Sequence, residues 1–525
     1  MDKNLKNILS IYGSHDASAV FVDKNNKIRI LEYERFVKQR YAMYSDRFDL
    51  RAGIGTNQNL RERFINYILT FINKESINII LYNELSDSDL IYLKNIFKNA
   101  ETIKVGHHTA HASSGYYTSD FNEAFIISID GGGNEIDYST STKTFIGKDD
   151  KIFNYKNYGL DLGTPYAMIG YPISEIKPGP DCELQSLVYA GKVMGLCAYG
   201  KVIEEWIKPI EDFYYHKNFE QLSKNLNLDL SFNSLKGTNS YNLAATSQYV
   251  FEKIFFDTFW AEILSLNLDV ILVGGCALNV LLNQKLKEKL QKIDKNLFVP
   301  ANPNDCGLAL GQFLSFINLK IKEDITYNGI DILDKDKFSM FVDKFNAKKI
   351  SIEELAQMVL EGKIIGIVNG CSEVGPRALG NRSIICNPCF KNMKDILNEK
   401  VKFREWFRPF APVCRHEDKD KYFGNAFHSK FMSYAPIVKA EHKDKLFSIT
   451  HADGTARLQT VKETDHELFY KILNSIEKLG GIPIILNTSF NIKGLPILSS
   501  IEDALYVLEN TKLDHVYVDG YIFSK

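Results

Sequence analysis

The sequence has almost no net charge, because 63 lysines and arginines face 65 aspartates and glutamates and leave -2 at pH 7. Such a chain offers no electric field for holding a polyanion, so nucleic acid and anionic membrane surfaces are poor candidate partners. It also lacks an apolar run long enough for a signal peptide or a membrane span. We therefore expect a cytoplasmic protein that binds small molecules, with neither nucleic acid nor membrane among its partners.

Cysteine usage gives no sign of a zinc ribbon. Eight cysteines are spread over 525 residues, and one pair, Cys386 and Cys389, has the CxxC spacing. A zinc ribbon needs a second such pair, which the sequence lacks. Most of the cysteines lie in apolar or glycine-rich surroundings, as reduced core thiols do. Solenoid-type repeats are absent as well, so this length predicts two or three globular domains.

The most informative segment is the histidine cluster His107–His111. On a helix, positions four apart lie on one face, so His107 and His111 can direct two imidazoles at one point while His108 points elsewhere. Taken alone, such a pair is equally compatible with surface or core histidines. An apolar run then delivers Asp130 into three glycines, which is how a carboxylate reaches a phosphate or a metal at a sheet edge. The combination favours a metal site.

A unit of strand, polar turn and strand occurs twice. Ile8–Tyr12 and Ala19–Val22 form the first predicted pair, and Ala124–Ile129 and Lys143–Ile146 form the second. Two half-domains that face a shared nucleotide cleft would need this duplication, which is the layout of actin-like ATP-binding folds.

A later strand supports a nucleotide cleft. Asp269–Val273 runs into Gly274 and Gly275 and then into a predicted helix from Ala277 to Leu290. A double glycine before a helix amino terminus lets the backbone approach a nucleotide closely.

The second half of the chain reads as a separate α/β domain. Polar, lysine-rich sequence from Ile321 to Lys349 precedes it, and Ser351–Glu354 resembles a capping box. Arginines beside glycine and aromatic residues follow, which suggests fixed donors for phosphate or carboxylate oxygens. Surface ion pairs with Glu399 and Glu405 are the alternative. We expect an anionic substrate held by the cationic and polar residues Arg377, Arg382, Lys402, Arg404, Arg408, Arg457, Asn487 and Ser489.

Eleven short motifs that occur in order carry a family resemblance: Gly13–Ala19, Glu34–Phe36, His107–His111, Asp130–Gly131, Gly191–Leu196, Gly274–Asn279, Asn304–Gly307, Gly375–Ser383, Lys402–Pro412, His451–Arg457 and Asn487–Asn491. Together they resemble the O-carbamoyltransferases of the NodU/CmcH family, which act on nodulation factors, cephem and aminoglycoside antibiotics and similar acceptors. The resemblance covers nearly the whole chain.

The resemblance implies an α/β protein with two domains. Residues 1–335 would form an actin-like, two-lobed domain of the ASKHA class, similar to the threonylcarbamoyl transferases. Residues 350–525 would form a YrdC-like domain that makes carbamoyl adenylate from carbamoyl phosphate and ATP. The first domain would pass the carbamoyl group to a hydroxyl of a sugar-like or natural-product acceptor.

The resemblance also implies roles for single residues. His107, His111, Asp130 and Asp305 would bind iron(II), although these ligand types equally permit zinc or manganese. Five residues would hold the nucleotide in the first domain: Gly131, Gly132, Gly274, Gly275 and Asn279. His15 and Asp16 are candidates for deprotonating the acceptor hydroxyl. In the second domain, the implied phosphate and carbamoyl phosphate ligands are Lys402, Arg408, Arg377, Ser489 and Asn487.

Three other functions compete with this interpretation. A tRNA threonylcarbamoyl-type transferase would share the histidine pair, although the balanced charge argues against RNA. A kinase or ATPase of the actin-like fold would explain the glycine turns but not the cationic second domain. A hydrolytic metalloenzyme would need the glutamate of HExxH, which the cluster lacks. The oligomeric state stays open, a homodimer included.

Overall fold

The computed structural model describes residues 3–45, 57–176 and 185–525, so Cys182 lies outside the described residues. Two five-stranded sheets occupy the N-terminal part of the chain. The first consists of β1 (Ile8–Tyr12), β2 (Ser18–Val22), β3 (Ile28–Glu32), β4 (Ile79–Asn83) and β5 (Glu101–Lys104). The second consists of β6 (Ala124–Asn134), β7 (Ser139–Lys148), β8 (Lys151–Asn157), β9 (Asp269–Val273) and β10 (Leu297–Phe298).

The two sheets share one topology. The strand orders are β3-β2-β1-β4-β5 and β10-β9-β6-β7-β8. In each sheet the first strand is central, pairs antiparallel with the second strand and pairs parallel with the fourth. This repetition confirms the duplicated unit that the sequence predicted, and it brings the carboxyl ends of β1 and β6 to corresponding positions.

Eighteen α-helices are present in the described residues: α1 (Tyr33–Val37), α2 (Asn57–Leu69), α3 (Asp87–Ile96), α4 (His107–Thr118), α5 (Gly163–Met168), α6 (Gln185–Leu196), α7 (Glu204–His216), α8 (Phe219–Leu226), α9 (Thr238–Leu266), α10 (Val280–Gln291), α11 (Leu308–Ile317), α12 (Phe338–Phe345), α13 (Ile352–Leu360), α14 (Met393–Ile396), α15 (Lys419–Tyr422), α16 (Ala440–Lys443), α17 (Glu467–Lys478) and α18 (Ile501–Asn510). None of those in the described ranges is long and apolar enough to cross a membrane.

Helices α4 and α11 lie in the core between the two sheets. Ala110 of α4 and Phe313 of α11 belong to one buried apolar cluster with Val20 of the first sheet and Ile126 of the second. A Cβ at Gly311 would lie 1.9 Å from the carbonyl oxygen of Ala110, so only glycine allows this close approach of the helices. The packing holds α4, and with it the histidine pair, against the ends of β1 and β6.

The C-terminal part forms an eight-stranded sheet in the order β11-β20-β19-β12-β13-β18-β14-β17. Its strands are β11 (Lys348–Lys349), β12 (Ile365–Val368), β13 (Arg382–Cys386), β14 (Ala411–Arg415), β17 (Gln459–Val461), β18 (Ile484–Ser489), β19 (His515–Val518) and β20 (Tyr521–Ser524), while β15 (Phe423–Gly424) and β16 (Ile437–Val438) form a separate pair. The predicted α/β class is confirmed.

Two local expectations have different outcomes. The capping box is confirmed, since Ser351 accepts the N–H of Glu354 and the Glu354 side chain returns to Ser351. The helix predicted from Ala277 is wrong at its start. A short 3-10 turn, Gly275–Leu278, comes first, and α10 begins only after Asn279, whose side chain caps it by accepting the N–H of Leu282.

Candidate active site

The histidine pair lies on the first turns of α4, at the centre of the N-terminal part. His107 and His111 are buried, and their ring centroids are 4.7 Å apart. The carboxylate of Glu135 accepts the backbone N–H of His108 at 2.7 Å and pairs with Lys143 at 3.2 Å, so it satisfies the positive amino end of the helix. This contact fixes the end of α4 that carries both imidazoles.

His108 points away from the pair, as the helical spacing predicted. Its Nδ1 lies 2.7 Å from the hydroxyl of Ser128, and its Nε2 lies 2.9 Å from the carbonyl oxygen of Thr140. Burial and the two neighbouring imidazoles lower the pKa of His108 to about 3. It is a neutral core residue.

Asp130 reaches the pair from within β6, at the bulge where pairing with β7 is interrupted between Ile129 and Gly133, so the three glycines that follow it belong to the strand. Its Oδ1 accepts the N–H of Gly131 at 2.7 Å, and its Oδ2 accepts the N–H of Gly275 at 2.8 Å. The backbone of Gly274 has φ of 89°, and a Cβ there would lie 2.1 Å from the carbonyl oxygen of Ile129. Glycine is therefore required where the end of β9 passes β6 and delivers the Gly275 N–H to Asp130.

Asp305 closes the group from the opposite side. Its Oδ1 lies 3.4 Å from Nε2 of His111 and 3.7 Å from Nε2 of His107, while Oδ2 of Asp130 lies 3.3 Å from Nε2 of His111. The phenol of Tyr12, the last residue of β1, donates to Oδ2 of Asp305 at 2.6 Å. The structure thus brings together all four residues of the predicted metal set.

The four residues fit a divalent cation. One ligand atom from each lies within 4.8 Å of the others. Nε2 of His107, Nε2 of His111 and Oδ1 of Asp305 are buried and have no hydrogen-bond partner in the part of the chain that the structure describes, although buried polar atoms almost always have one. Two imidazoles and two carboxylates suit zinc, manganese or iron.

His15 and Asp16 lie beside this group, on the turn between β1 and β2. Nδ1 of His15 is 3.3 Å from Oδ2 of Asp16, and its Nε2 is 3.5 Å from Oδ2 of Asp305. Burial alone would lower the pKa of His15, but the charges of Asp305 and Asp16 outweigh it and raise the pKa to about 9. Asn304 donates to Asp16 at 3.3 Å and so holds the turn close to Asp305.

A cavity of about 730 Å³ extends from this group to the cations of the C-terminal part. The predicted site residues that line it are His15, Asp16, Asp130, Asp305, Gly131, Gly275, Asn279, Arg377, Lys402, Arg408, Asn487 and Ser489. Gly274 packs against the strand end behind the cavity, and Gly132 lies in the bulge of β6 between Ile129 and Gly133. The side-chain amide of Asn279 has protein partners at both atoms: its Oδ1 accepts the N–H of Leu282 at 3.0 Å, and its Nδ2 donates to Gln248 at 2.9 Å.

Lys402 and its neighbours form the cationic end of the cavity. Nζ of Lys402 is buried and donates to the carbonyl oxygens of Ser489 and Asn491, each at 2.6 Å. Removal from water, followed by the charges of Arg404 and Arg408, holds the pKa of Lys402 well below its usual range. An anion would relieve this repulsion.

An ion pair from the N-terminal part fixes the loop that carries Arg377. Nε of Arg35 lies 2.5 Å from Oε2 of Glu32. The two terminal nitrogens of the same guanidinium donate to the carbonyl oxygens of Glu373 at 2.6 Å and Gly375 at 2.5 Å. Glu32 in turn accepts the N–H of Gly375 at 2.5 Å. The Glu34–Phe36 motif therefore ties the two parts of the chain together next to the cavity.

Asn487 is buried at the end of β18. Its amide donates to the carbonyl oxygen of Ala378 at 3.0 Å and to Gln459 at 2.9 Å, while its Oδ1 has no partner within the described ranges of the chain. Through its contact with Ala378, Asn487 supports the same loop that bears Arg377.

Family models match both parts of the chain. The model of the carbamoyltransferase N-terminus matches residues 54–314, and the model of the carbamoyltransferase C-terminus matches residues 356–525. The chain belongs to the carbamoyltransferase family. The carbamoyltransferase is thus an enzyme whose N-terminal part holds the histidine pair and whose C-terminal part holds the cations.

Relatives extend over most of this carbamoyltransferase. An uncharacterized protein of Methanocaldococcus jannaschii is 29% identical over 99% of each chain. Nodulation protein NolNO of Sinorhizobium fredii is 30% identical over 80% of this chain and 64% of its own. Among solved structures, full-length HypF in its phosphate- and nucleotide-bound form is 15% identical and covers 59% of this chain and 55% of its own, with a TM-score of 0.35 that is too low to indicate a shared fold.

Two residues that no sequence pattern marked as functional, Tyr12 and Glu135, support the candidate metal-binding group of this carbamoyltransferase. The sequence pattern predicts only a strand position for Tyr12, although a phenol at the carboxyl end of a buried strand is placed to reach a site. Glu135 follows the glycine turn, and its contact with α4 depends on folding of the chain over 26 residues or more. No local pattern signals such a contact.

Proposed function

We propose that this carbamoyltransferase is an ATP-dependent O-carbamoyltransferase that acts in two steps within one cavity. The observation that carries the proposal is the cavity itself, which joins the His107, His111, Asp130 and Asp305 group to the cationic residues around Lys402. An actin-like first domain, for which the duplicated sheet is the support, and a YrdC-like second domain are part of the same proposal.

The first step belongs to the cationic end. Carbamoyl phosphate loses its phosphate to water and gives carbamate and inorganic phosphate. A carbamate oxygen then attacks the α-phosphorus of ATP, and pyrophosphate leaves. Lys402, Arg408 and Arg377 would neutralise the phosphates, with Ser489 beside Lys402 and Asn487 holding the Arg377 loop.

The second step belongs to the histidine end. The acceptor oxygen attacks the carbamoyl carbon, AMP leaves, and the hydroxyl proton passes to a base on the turn of His15 and Asp16. The carboxylate of Asp16 is the proton acceptor in this proposal, because the raised pKa of His15 keeps its imidazole protonated at neutral pH. The backbone at Gly131 and Gly275 and the side chain of Asn279 would hold the nucleotide. A divalent cation bound by His107, His111, Asp130 and Asp305, for which we propose iron(II), would supply positive charge for phosphate oxygens.

The acceptor is a small molecule with a hydroxyl group in this proposal. Labelled pyrophosphate should exchange into ATP when carbamoyl phosphate is present, and an acceptor screen by mass spectrometry should show a gain of one carbamoyl group. A folded, metal-loaded protein without such exchange would contradict the proposal. Phosphorylated acceptor would favour a kinase, and carbamoylated tRNA would favour the tRNA-modifying alternative.

A further inference from the structure

Helix α6 brings a lysine of the N-terminal part into the cationic end of the cavity. Val188, Gly191, Lys192 and Gly195 lie on one helix face, and all four line the cavity. At Gly191, nothing lies within 4 Å of the place that a Cβ would take, and at Gly195 the nearest atom is Cδ2 of Phe407 at 3.6 Å. The ammonium group of Lys192 is thus presented to the cavity between two residues without side chains.

One carboxylate, that of Glu405, faces three cations here. Its Oε1 lies 2.9 Å from Nζ of Lys192 and 3.5 Å from Nζ of Lys493, and its Oε2 lies 3.7 Å from Nη1 of Arg408. Burial opposes the charge of Glu405, but Lys192 and Arg408 outweigh it and lower its pKa to about 2. Since the carboxylate of Glu405 balances only one of these three cations, the four side chains together keep an excess of positive charge.

Further cations enlarge the excess. Lys402, Arg404 and Arg457 line the same cavity, and no carboxylate of the described residues forms a salt bridge with any of them. Removal from water and the neighbouring arginines hold their pKa values well below the usual range. A structural ion pair between Lys192 and Glu405 leaves this surplus unexplained, whereas a polyanionic ligand balances it.

We propose that Lys192 is a phosphate ligand of the adenylate-forming site, contributed to the C-terminal cations by the N-terminal part. The inference rests on the proposed function, because it takes the cationic end as the place of the phosphates. An ammonium group has three N–H donors, so Lys192 keeps its contact with Glu405 while donating to a phosphate oxygen. The adenylate-forming site is then composite, and residues 356–525 do not complete it.

Two full-length variants that differ only at position 192 test this role: Glu405→Gln and Lys192→Met/Glu405→Gln. Both lack the carboxylate, so their comparison isolates the ammonium group, and the double variant leaves neither partner as an unpaired buried charge. Inorganic phosphate, carbamoyl phosphate and ATP are titrated separately by calorimetry. We expect the double variant to bind phosphate and at least one of the two substrates about tenfold more weakly or worse.

The two substrates identify which phosphate Lys192 contacts. Equal affinities of the two variants for all three ligands would overturn the inference and leave Lys192 as an ion-pair partner. If the unmodified protein binds none of them, the proposed function itself fails. Lys192→Arg should retain binding, and Lys208→Met, on the exposed face of α7, is the matched control. Lys192→Gln/Glu405→Gln repeats the comparison if the methionine variant does not fold.

Discussion

At the residue scale, the histidine end depends on buried nitrogen and oxygen atoms that have no hydrogen-bond partner among the described residues. We expect His111→Ala to lower metal affinity by more than about 100-fold, since even the loss of an outer-shell partner costs 10- to 100-fold. Carbamoyl transfer should be lost, while ATP–pyrophosphate exchange persists because Lys402 and Arg408 lie at the other end of the cavity. Metal content by mass spectrometry and the two activities check this.

His108 provides the control for this change. His108 lies three residues before His111 on the same helix and is equally buried. Both of its ring nitrogens, however, have partners in Ser128 and Thr140. His108→Gln should therefore cost stability and leave the metal content unchanged. Equal loss of metal from both variants would show that α4 had been disrupted rather than that a ligand had been removed.

Glu34 makes a second residue-scale prediction, on pH. Burial, followed by the charge of Asp16, raises the pKa of Glu34 from 4.5 to about 7. The folded protein then binds more protons at this position than the unfolded chain does between those two values, so its stability falls as pH rises from 4.5 to about 7.

The Glu34→Gln variant removes this proton uptake. Its free energy of unfolding relative to the unmodified protein should rise by roughly 2 kcal/mol across that pH range and stay constant above it. Glutamine retains an oxygen that can accept the N–H of Tyr41, so the local hydrogen bond is a shared feature. Denaturant titrations at several pH values measure the difference, and a flat difference would contradict the prediction.

Local sequence patterns predicted some residues of the histidine end and not others, and the difference has a physical reason. Helical spacing was enough to place His107 and His111 together, and the apolar run into Asp130 was enough to direct a carboxylate to the same site, although Asp130 lies in a bulge within β6 and not at the end of the strand. Asp305 came only from the family resemblance. It lies in a single 3-10 turn, where no periodicity marks a residue. The contact of Tyr12 with Asp305 spans 293 positions and is invisible in local sequence.

At the scale of elements, the turn after β9 links the second sheet to the candidate metal-binding group through the N–H of Gly275, which donates to Asp130. Gly274→Ala would place a Cβ 2.1 Å from the carbonyl oxygen of Ile129, in a backbone with φ of 89°. We expect a loss of roughly 2–4 kcal/mol in the free energy of unfolding, because both strain and a backbone clash must be relieved. Metal affinity should fall as well, since Gly275 would no longer hold Asp130.

Gly480→Ala is the matched control for this turn. Gly480 follows the end of α17 with φ of 82°, but nothing lies within 4 Å of the position that a Cβ would take. Gly480→Ala should lower the free energy of unfolding by only about 1 kcal/mol, which is the cost of placing alanine in a left-handed conformation, and should leave the metal affinity unchanged. Thermal or denaturant unfolding of the two variants separates strain from clash. Similar losses in both would mean that the backbone of Ile129 moves aside easily.

Strands bounded by clear turns were easier to predict from the sequence than the short elements between the two parts of the chain. Ile8–Tyr12 and Asp269–Val273 match their predicted bounds because apolar runs and flanking turns define them locally. The polar, lysine-rich stretch from Ile321 to Lys349, which was expected only to precede the second domain, contains α12 and β11. Phe341 of α12 is buried, and β11 completes a sheet whose other strands come later in the chain. Tertiary pairing, not local pattern, creates these elements.

At the scale of the whole molecule, one cavity between the two parts has a chemical consequence. A carbamoyl adenylate is open to attack by water, so an intermediate that stays inside the protein is protected until the acceptor reaches it. Glu32 and Arg35 form an ion pair, and both contact the backbone of the loop at Gly375. These contacts fix the positions of the two ends of the cavity relative to each other. The intermediate should therefore be used by the molecule that makes it.

Mixing two variants tests this use within one molecule. His111→Ala should still form the adenylate, and Arg408→Ala should still hold the metal, so each variant retains what the other lacks. If the intermediate remains in the cavity, their mixture should transfer no more carbamoyl group than the sum of the separate proteins. Mixtures of each variant with unmodified protein exclude inhibition by the variant. Recovery of a large part of the transfer rate in the mixture would instead mean that the adenylate is released to solvent and captured by a second molecule.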